Sequence, residues 1–216
     1  VRILRSRRTK TSKVPPVLRV LVLAADPGHG LIEIDEEIRQ IRARVEAMPG
    51  RRIEFVSVRQ VRAQDLQDAL LRFRPDIVHF SGHGTSEGLV FTDRNGETTH
   101  IGGDVLSQLF GLFSDHVRLV VLNACYTRLQ AQAIATTIDC AIGLDVITDK
   151  GAVEFSSALY NGLKFGRSVL EAFQLARNAL ELTGHGYARA AAIHCGDGID
   201  ASTIRLRDLR SDQKEP

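Results

Sequence analysis

Two residues with reactive side chains follow apolar runs of the sequence. His83 lies in HFSGHG (79–84), and Cys125 lies in NACY (123–126). The thiolate is the reactive form of cysteine, and a nearby imidazole either accepts the thiol proton or forms an ion pair with the thiolate. Together these side chains could carry out nucleophilic acyl transfer, provided that the fold brings them to one place.

Glycines flank His83 on both sides. Gly82 and Gly84 carry no Cβ, so the backbone can approach a substrate closely at these positions. An oxyanion that forms during acyl transfer needs backbone N–H donors, each worth about 3 kcal/mol in well-studied enzymes. The N–H groups of Gly84 and Cys125 are therefore candidate donors of an oxyanion hole.

The residues alone leave a second interpretation open. Free cysteine is a common core residue, and a lone histidine on a strand is usually a polar group with a satisfied hydrogen bond. We assign His79 to packing, and we assign Cys140 and Cys195 to the core because they lie inside apolar runs. No Cys/His spacing typical of zinc ligands occurs, so neither a metal nor another cofactor is expected.

The chain alternates apolar runs with amphipathic helical patterns, which predicts an α/β fold with a mainly parallel sheet covered on both faces. Ligands of such sheets gather beyond the carboxyl ends of the strands. His83 and Cys125 each follow a predicted strand and lie 42 residues apart. The predicted strands are 17–24, 52–58, 76–82, 117–123, 140–144 and 188–195, with a hairpin over 88–99 that turns at Asn95-Gly96, and the predicted helices are 34–45, 66–73, 105–113, 129–134, 151–165 and 168–182.

The composition, 44% hydrophobic and 25% charged, is typical of one globular domain. Residues 1–16 hold six basic residues and no acidic one, which predicts a basic flexible arm, and 205–216 read as a polar C-terminal tail. No apolar run approaches the ~20 residues that cross a bilayer, and the three cysteines are too few for a disulfide framework. We therefore expect a cytoplasmic protein without a membrane partner, and nucleic acid as a partner only through the arm.

Longer stretches carry a resemblance to a known family. VHFSGHG followed by VVLNACY resembles the CHAT branch of the caspase-like cysteine peptidases (clan CD). LAADPGHGLIEIDEEIRQI resembles the opening strand, loop and acidic helix of that family, and AIGLDVITDKGAVEFSSALYNGLKFGRSVLEAF resembles its closing strand and helix pair. The resemblance assigns residues 17–196 to one CHAT domain and implies a caspase-like three-layer α/β/α sandwich with a mainly parallel central sheet.

The resemblance also implies an activity and roles for individual residues. It implies a cysteine endopeptidase that acts on a protein or peptide substrate through a Cys125 thioester, with His83 as the acid/base. The N–H groups of Gly84 and Cys125 would form the oxyanion hole. Related domains are commonly fused to sensor modules in bacterial conflict systems, so the resemblance implies a regulated defence effector. Such a domain either acts alone or is switched by a separate sensor or activator protein.

Acidic residues near the strand ends are candidates for the S1 pocket, which in this clan binds the residue before the cleaved bond. The available acidic residues are Asp26, Glu87, Asp145 and Asp149. Asp145 is the favoured candidate, with Asp26 as the second, and an acidic pocket would select arginine or lysine in the substrate. Asp149 precedes the predicted helix 151–165, and we expect it to serve as the helix N-cap rather than to contact substrate.

Two other functions remain open at the level of sequence. One is a catalytically silent caspase-like module that binds other proteins. The other is a nucleotide- or phosphate-binding domain, because ADPGHG (25–30) follows the first predicted strand. That loop has neither the GxGxxG spacing nor the lysine of a P-loop, which disfavours phosphate binding.

Overall fold

The computed structural model describes residues 17–25, 31–184 and 188–206. The basic arm predicted for 1–16, the loop residues 26–30 with Asp26, and all but the first two residues of the tail predicted for 205–216 lie outside the described residues. Within them the strands are β1 (Leu18–Ala25), β2 (Ile53–Val58), β3 (Ile77–Gly82), β4 (Gly84–Thr85), β5 (Gly88–Thr92), β6 (Thr98–Ile101), β7 (Leu119–Asn123), β8 (Cys140–Leu144) and β9 (Ala191–Cys195).

Six strands form the central sheet, in the order β2-β1-β3-β7-β8-β9. All neighbouring pairs from β2 to β8 run parallel, and β9 joins β8 in the antiparallel direction. Every residue of β7 and β8 is buried, as is every residue of β3 except Gly82. Strands buried on both faces need apolar residues at successive positions, which explains the continuous apolar runs of the sequence.

Helices cover both faces of this sheet. Ile41, Phe155 and Phe173 belong to a core on one face, and Leu70 and Phe110 belong to a core on the other. The prediction of a mainly parallel sheet covered on both faces is therefore confirmed. The helices of the first face are α1 (Leu31–Ala47), α5 (Asp149–Lys164) and α6 (Val169–Leu182), and those of the second face are α2 (Leu66–Phe73), α3 (Gly103–Gly111) and α4 (Arg128–Ile134).

A small antiparallel sheet, β4-β5-β6, interrupts the chain between β3 and α3. Its β5–β6 hairpin turns where the sequence predicted, because the Asp93 carboxylate accepts hydrogen bonds from the N–H groups of Asn95 and Glu97, and Gly96 takes the left-handed conformation at φ 83°. The two-residue strand β4 begins directly after His83 and pairs with the start of β5. The hairpin is thereby tied to the end of β3.

His79 lies in the core on the side of the sheet that carries α5. Its Nδ1 atom is 2.8 Å from the hydroxyl oxygen of Tyr160, and the side chain is 1% exposed. Burial lowers the pKa of His79 to about 4, so the imidazole is neutral at neutral pH. The prediction that His79 packs in the core is confirmed.

Within the described part of the chain, none of the helices has both the length and the apolar character required to cross a membrane.

Candidate active site

The carboxyl ends of β3 and β7 bring His83 and Cys125 to one cavity. β3 and β7 are parallel neighbours in register, with Ser81 opposite Asn123. His83 is the first residue after β3, and Cys125 is the second residue after β7. Both line a cavity of about 200 Å³. The expectation that the two strands are neighbours, with both residues at the same edge of the sheet, is confirmed.

Thr127 anchors the loop that carries Cys125. The Thr127 Oγ1 atom accepts a hydrogen bond from the Leu144 N–H at 2.9 Å and lies 3.0–3.1 Å from the carbonyl oxygens of Leu122, Ala124 and Leu144. The Thr127 N–H donates to the Leu144 carbonyl oxygen as well. These bonds anchor the loop to β7 and to the end of β8. Cys125 therefore sits on a rigid support.

Tyr126, the residue after Cys125, has a left-handed backbone with φ 58°. This conformation is uncommon for a residue other than glycine, and the surrounding structure must stabilise it. The sharp turn leaves the Tyr126 side chain exposed while Cys125 stays half-buried in the cavity. Backbone strain of this kind concentrates at functional sites.

Gly84 packs directly against the Cys125 loop. A Cβ atom at position 84 would lie 2.3 Å from the Cys125 carbonyl oxygen and 3.0 Å from the Thr127 Cγ2 atom. Only glycine allows this approach, since real Cβ atoms do not reach a backbone oxygen so closely. The close packing keeps β4 beside Cys125, where the predicted oxyanion-hole donors belong.

Replacing Gly84 with alanine is expected to push β4 away from the Cys125 loop. If the Gly84 N–H is an oxyanion donor, kcat/KM for peptide hydrolysis should fall by about 100-fold or more, because one donor is worth 10²–10³ in rate. The measurement is steady-state hydrolysis together with the thermal midpoint. Gly102→Ala is the matched control, since a Cβ there would lie at an ordinary contact distance of 3.5 Å from the Glu87 carbonyl oxygen, and a φ of −71° suits alanine. Equal activity of the Gly84→Ala and wild-type proteins would contradict this role.

The other two cysteines lie together in the sheet, away from this cavity. Cys140 and Cys195 are opposite residues of β8 and β9, and their Sγ atoms are 3.0 Å apart. Burial, followed by the hydrogen bond with Cys195, raises the pKa of the Cys140 thiol. A buried thiol that resists ionisation is a poor nucleophile, which agrees with the core role predicted for Cys140. Cys195, also predicted in the core, is only half-buried.

Glu37 and Asp149 line the same cavity, although neither is among the predicted site residues. The Glu37 carboxylate accepts hydrogen bonds from Ser81 and Asn123. Burial raises the pKa of Glu37 to about 7, the two hydrogen bonds act against this rise, and the Asp149 carboxylate adds to it. The cavity thus combines a thiol, an imidazole and two carboxyl groups.

Neither of the two acidic residues predicted for the S1 pocket is found among the residues that line the cavity in the described part of the chain. Asp145 forms a 3.0 Å ion pair with Arg128 and does not belong to the cavity lining, while Asp26 lies outside the described residues.

The N-cap of α5 is Thr148, whose hydroxyl accepts the Gly151 N–H at 3.2 Å. The prediction that Asp149 is the N-cap was therefore wrong. Asp149 is the first residue of α5, is exposed and lines the cavity.

The CHAT domain family matches residues 2–192 of the chain. The chain is 23% identical over 184 residues to a Roc-COR-CHAT protease from an unknown prokaryotic organism, and 25% identical over 153 residues to a probable protease from Gillisia limnaea. These matches cover 80% and 66% of this chain but only 17% and 27% of the two relatives. The chain therefore spans much less than two thirds of the length of either relative.

Solved structures show a similar fold. A secreted C11 cysteine protease from Bacteroides thetaiotaomicron, solved with an irreversible peptide inhibitor, has a TM-score of 0.61 at 9% identity, covering 82% of this chain and 66% of that one. The drICE structure has a TM-score of 0.50 at 10% identity and covers 82% of this chain and 87% of that one. At such low identity these likenesses concern the fold, and they confirm the predicted caspase-like α/β architecture.

Proposed function

The chain belongs to the CHAT family of caspase-like proteins, and from this membership we propose that it is a cysteine endopeptidase with Cys125 as nucleophile and His83 as acid/base. One observation carries the proposal: a thiol and an imidazole line a single cavity at the carboxyl ends of the neighbouring strands β3 and β7. The family match over most of the chain favours the same reaction class. Functional sites of parallel sheets are found at this edge.

The proposed reaction has two acyl-transfer steps. His83 accepts the Cys125 thiol proton, and the thiolate attacks the peptide carbonyl carbon. The carbonyl oxygen becomes an oxyanion, stabilised by the N–H groups of Gly84 and Cys125. The C–N bond then breaks, His83 returns the proton to the leaving amine, and a thioester remains. Water deprotonated by His83 attacks the thioester, which releases the acid and restores the Cys125 thiol.

The position of Asp149 favours substrates that carry arginine or lysine before the cleaved bond. Its exposed carboxylate lines the cavity with Cys125, and Glu37 adds negative charge when it is ionised. Asp145 is less suited to this role, because Arg128 already pairs with its carboxylate. A cationic substrate side chain gains attraction from an exposed carboxylate at the cavity wall.

Replacing Asp149 with asparagine is expected to lower kcat/KM about fivefold for peptides with arginine before the cleaved bond and to change little for leucine. An exposed charge contributes about 1 kcal/mol or less, so the effect is modest and shrinks as salt is added. Paired peptides that differ at this one residue provide the measurement. Asp145→Asn should leave the ratio unchanged, and a loss of preference in that variant instead would assign the pocket to Asp145.

The regulated role predicted from the sequence forms part of the proposal. A separate sensor or activator protein controls the domain, which acts as an effector of bacterial defence in the cytoplasm. Two facts support regulation: the matched relatives extend far beyond the matched region, and the name of one combines Roc and COR with a CHAT protease. Full activity of the isolated chain, unchanged by any added partner, would argue against it.

A peptide-library digest tests the proposed function. The purified chain is incubated with a library that varies the residues on both sides of each peptide bond, and the products are sequenced by mass spectrometry. The proposal predicts cleavage after a defined residue, favouring arginine or lysine. A folded protein that cleaves none of these peptides, with or without cell extract as a source of activator, would instead support the silent binding module.

A further inference from the structure

Glu37 of α1 connects the ends of two neighbouring strands. Its Oε2 atom accepts a hydrogen bond from Ser81 Oγ at 3.2 Å, and its Oε1 atom accepts one from Asn123 Nδ2. Ser81 and Asn123 are register partners across the parallel pair β3–β7, and both are buried. One carboxylate thus holds both strand ends, with a separate oxygen for each.

The two donors lie close in sequence to the proposed catalytic residues. Ser81 precedes His83 by two residues, and Asn123 precedes Cys125 by two. Because each residue has only two soft backbone torsions, fixing a residue two positions away restricts where the catalytic residue can lie. We propose that Glu37 is a positioning residue of the active site, whose carboxylate holds the ends of β3 and β7 at the spacing that His83 and Cys125 require. This inference rests on the proposed peptidase function.

The surroundings of Glu37 disfavour its ionised form relative to its protonated form in the folded protein. Burial is the main cause that raises its pKa to about 7, and the Asp149 carboxylate adds to the rise. The ionised carboxylate accepts two hydrogen bonds, whereas the protonated group uses one oxygen as a donor. The titratable and charged groups near it are Asp149 and Tyr160 on α5, His83 and Cys125 after β3 and β7, and the pair Glu36 and Arg39 on α1.

The pH dependence of stability distinguishes a positioning residue from a purely structural one, because a purely structural residue is expected to stabilise the fold at the pH where it is ionised. The folded-state pKa of Glu37, about 7, lies above the ordinary value of 4.5. The stability that this group contributes is therefore fully present below pH 4.5 and is lost as the pH rises to about 7. Glutamine resembles the neutral form and avoids the loss. A Glu37→Gln protein should therefore be more stable than the wild type at pH 8 and similar to it at pH 4.5.

The test combines inactivation kinetics with thermal unfolding of the Glu37→Gln variant. With a peptide acyloxymethyl ketone as the probe at pH 8, where Glu37 is mostly ionised, the rate of Cys125 alkylation at saturating probe should fall about tenfold or more, because a small misplacement of reacting groups is costly. The probe concentration for half-saturation should change little. At pH 8 the thermal midpoint should rise by about 2–4 °C. A residue that only anchored α1 to the sheet would lower the midpoint.

Two further variants control this result. Glu36→Gln changes a neighbouring glutamate that bonds Arg39 and Gln40, and it should alkylate at the wild-type rate. Combining Glu37→Gln with Asn123→Asp reverses donor and acceptor, because the new amide can donate to the new carboxylate. The double variant should recover part of the saturating rate. If the double variant alkylates no faster at saturating probe than Glu37→Gln does, the proposed bridge between α1 and β7 is contradicted.

Hydrogen exchange distinguishes failure of this inference from failure of the proposed function. Glutamine offers one acceptor oxygen to the two donors Ser81 and Asn123, which weakens the bridge, so amide exchange at residues 81–85 and 123–127 should be faster in Glu37→Gln, whatever the protein catalyses. If Cys125 of the wild type does not react with the probe, the peptidase function fails, and exchange alone then decides the role of Glu37. An unchanged saturating rate together with unchanged exchange would overturn the positioning role while leaving the peptidase function intact.

Discussion

Replacing Cys125 with alanine is expected to abolish peptide hydrolysis, lowering kcat/KM by about 10⁴-fold or more. The reaction requires a nucleophilic sulfur at the cavity, and the other two cysteines lie together in β8 and β9, where they cannot replace it. Alanine is smaller than cysteine, and Cys125 is only half-buried, so the fold should persist. The measurement is hydrolysis of the best library peptide, with the thermal midpoint as a check on folding.

Cys195→Ala is the matched control for this experiment. Cys195 is half-buried like Cys125, but it lies in β9 and does not line the cavity. The control should therefore retain the wild-type rate. Hydrolysis that persists in Cys125→Ala would show that the activity belongs to another group or to a contaminating peptidase.

Replacing His83 with alanine is expected to lower kcat/KM by about 10³-fold at neutral pH. The imidazole is proposed to take the thiol proton and to return it to the leaving amine, so its removal affects both halves of the first step. His83 is exposed, so its substitution should leave the protein folded, which the thermal midpoint checks. Rates measured from pH 6 to pH 9 should rise with pH in the variant, because hydroxide replaces the missing base.

His100→Ala provides the comparison for His83. His100 lies on β6 of the small sheet that follows His83, and it does not line the cavity. We expect its activity and pH profile to match those of the wild type. If His83→Ala kept wild-type activity, the proposed acid/base would be wrong even if Cys125 were the nucleophile.

Much of the fold could be predicted because buried parallel strands leave a clear pattern in the sequence. The apolar runs at 17–24 and 117–123 correspond closely to β1 and β7, and the Asn95-Gly96 turn of the hairpin is confirmed. The two-residue strand β4 is too short to produce a periodic pattern. The antiparallel direction of β9 was also not predicted, since strand direction depends on the path of the preceding chain rather than on local sequence.

The candidate site could be predicted in part, since reactive residues at strand ends are visible in the sequence. Glu37 was missed, although a signal was present: it lies three residues after Ile34 and four before Ile41, on the face of α1 that packs on the sheet. A carboxylate inside an apolar stripe indicates a buried polar contact. Its partners, Ser81 and Asn123, come from strands that only the fold brings together.

Asp149 was misassigned because helix starts are ambiguous to within a residue. Both Thr148 and Asp149 are good N-cap types, and the predicted helix began only at residue 151. In the structure the cap falls on Thr148. The shift of one position moves Asp149 into the first turn, with its carboxylate at the cavity, and so changes its expected role from capping to substrate selection.

Site-mapped labelling by a peptide electrophile tests the central claim most directly. The reduced protein is incubated with a peptide acyloxymethyl ketone carrying arginine next to the reactive group, and the adduct is located by mass spectrometry. We predict one adduct per chain, on Cys125, with His83→Ala reacting much more slowly. An unmodified Cys125, or equal modification of Cys125, Cys140 and Cys195, would contradict an activated nucleophile at this site.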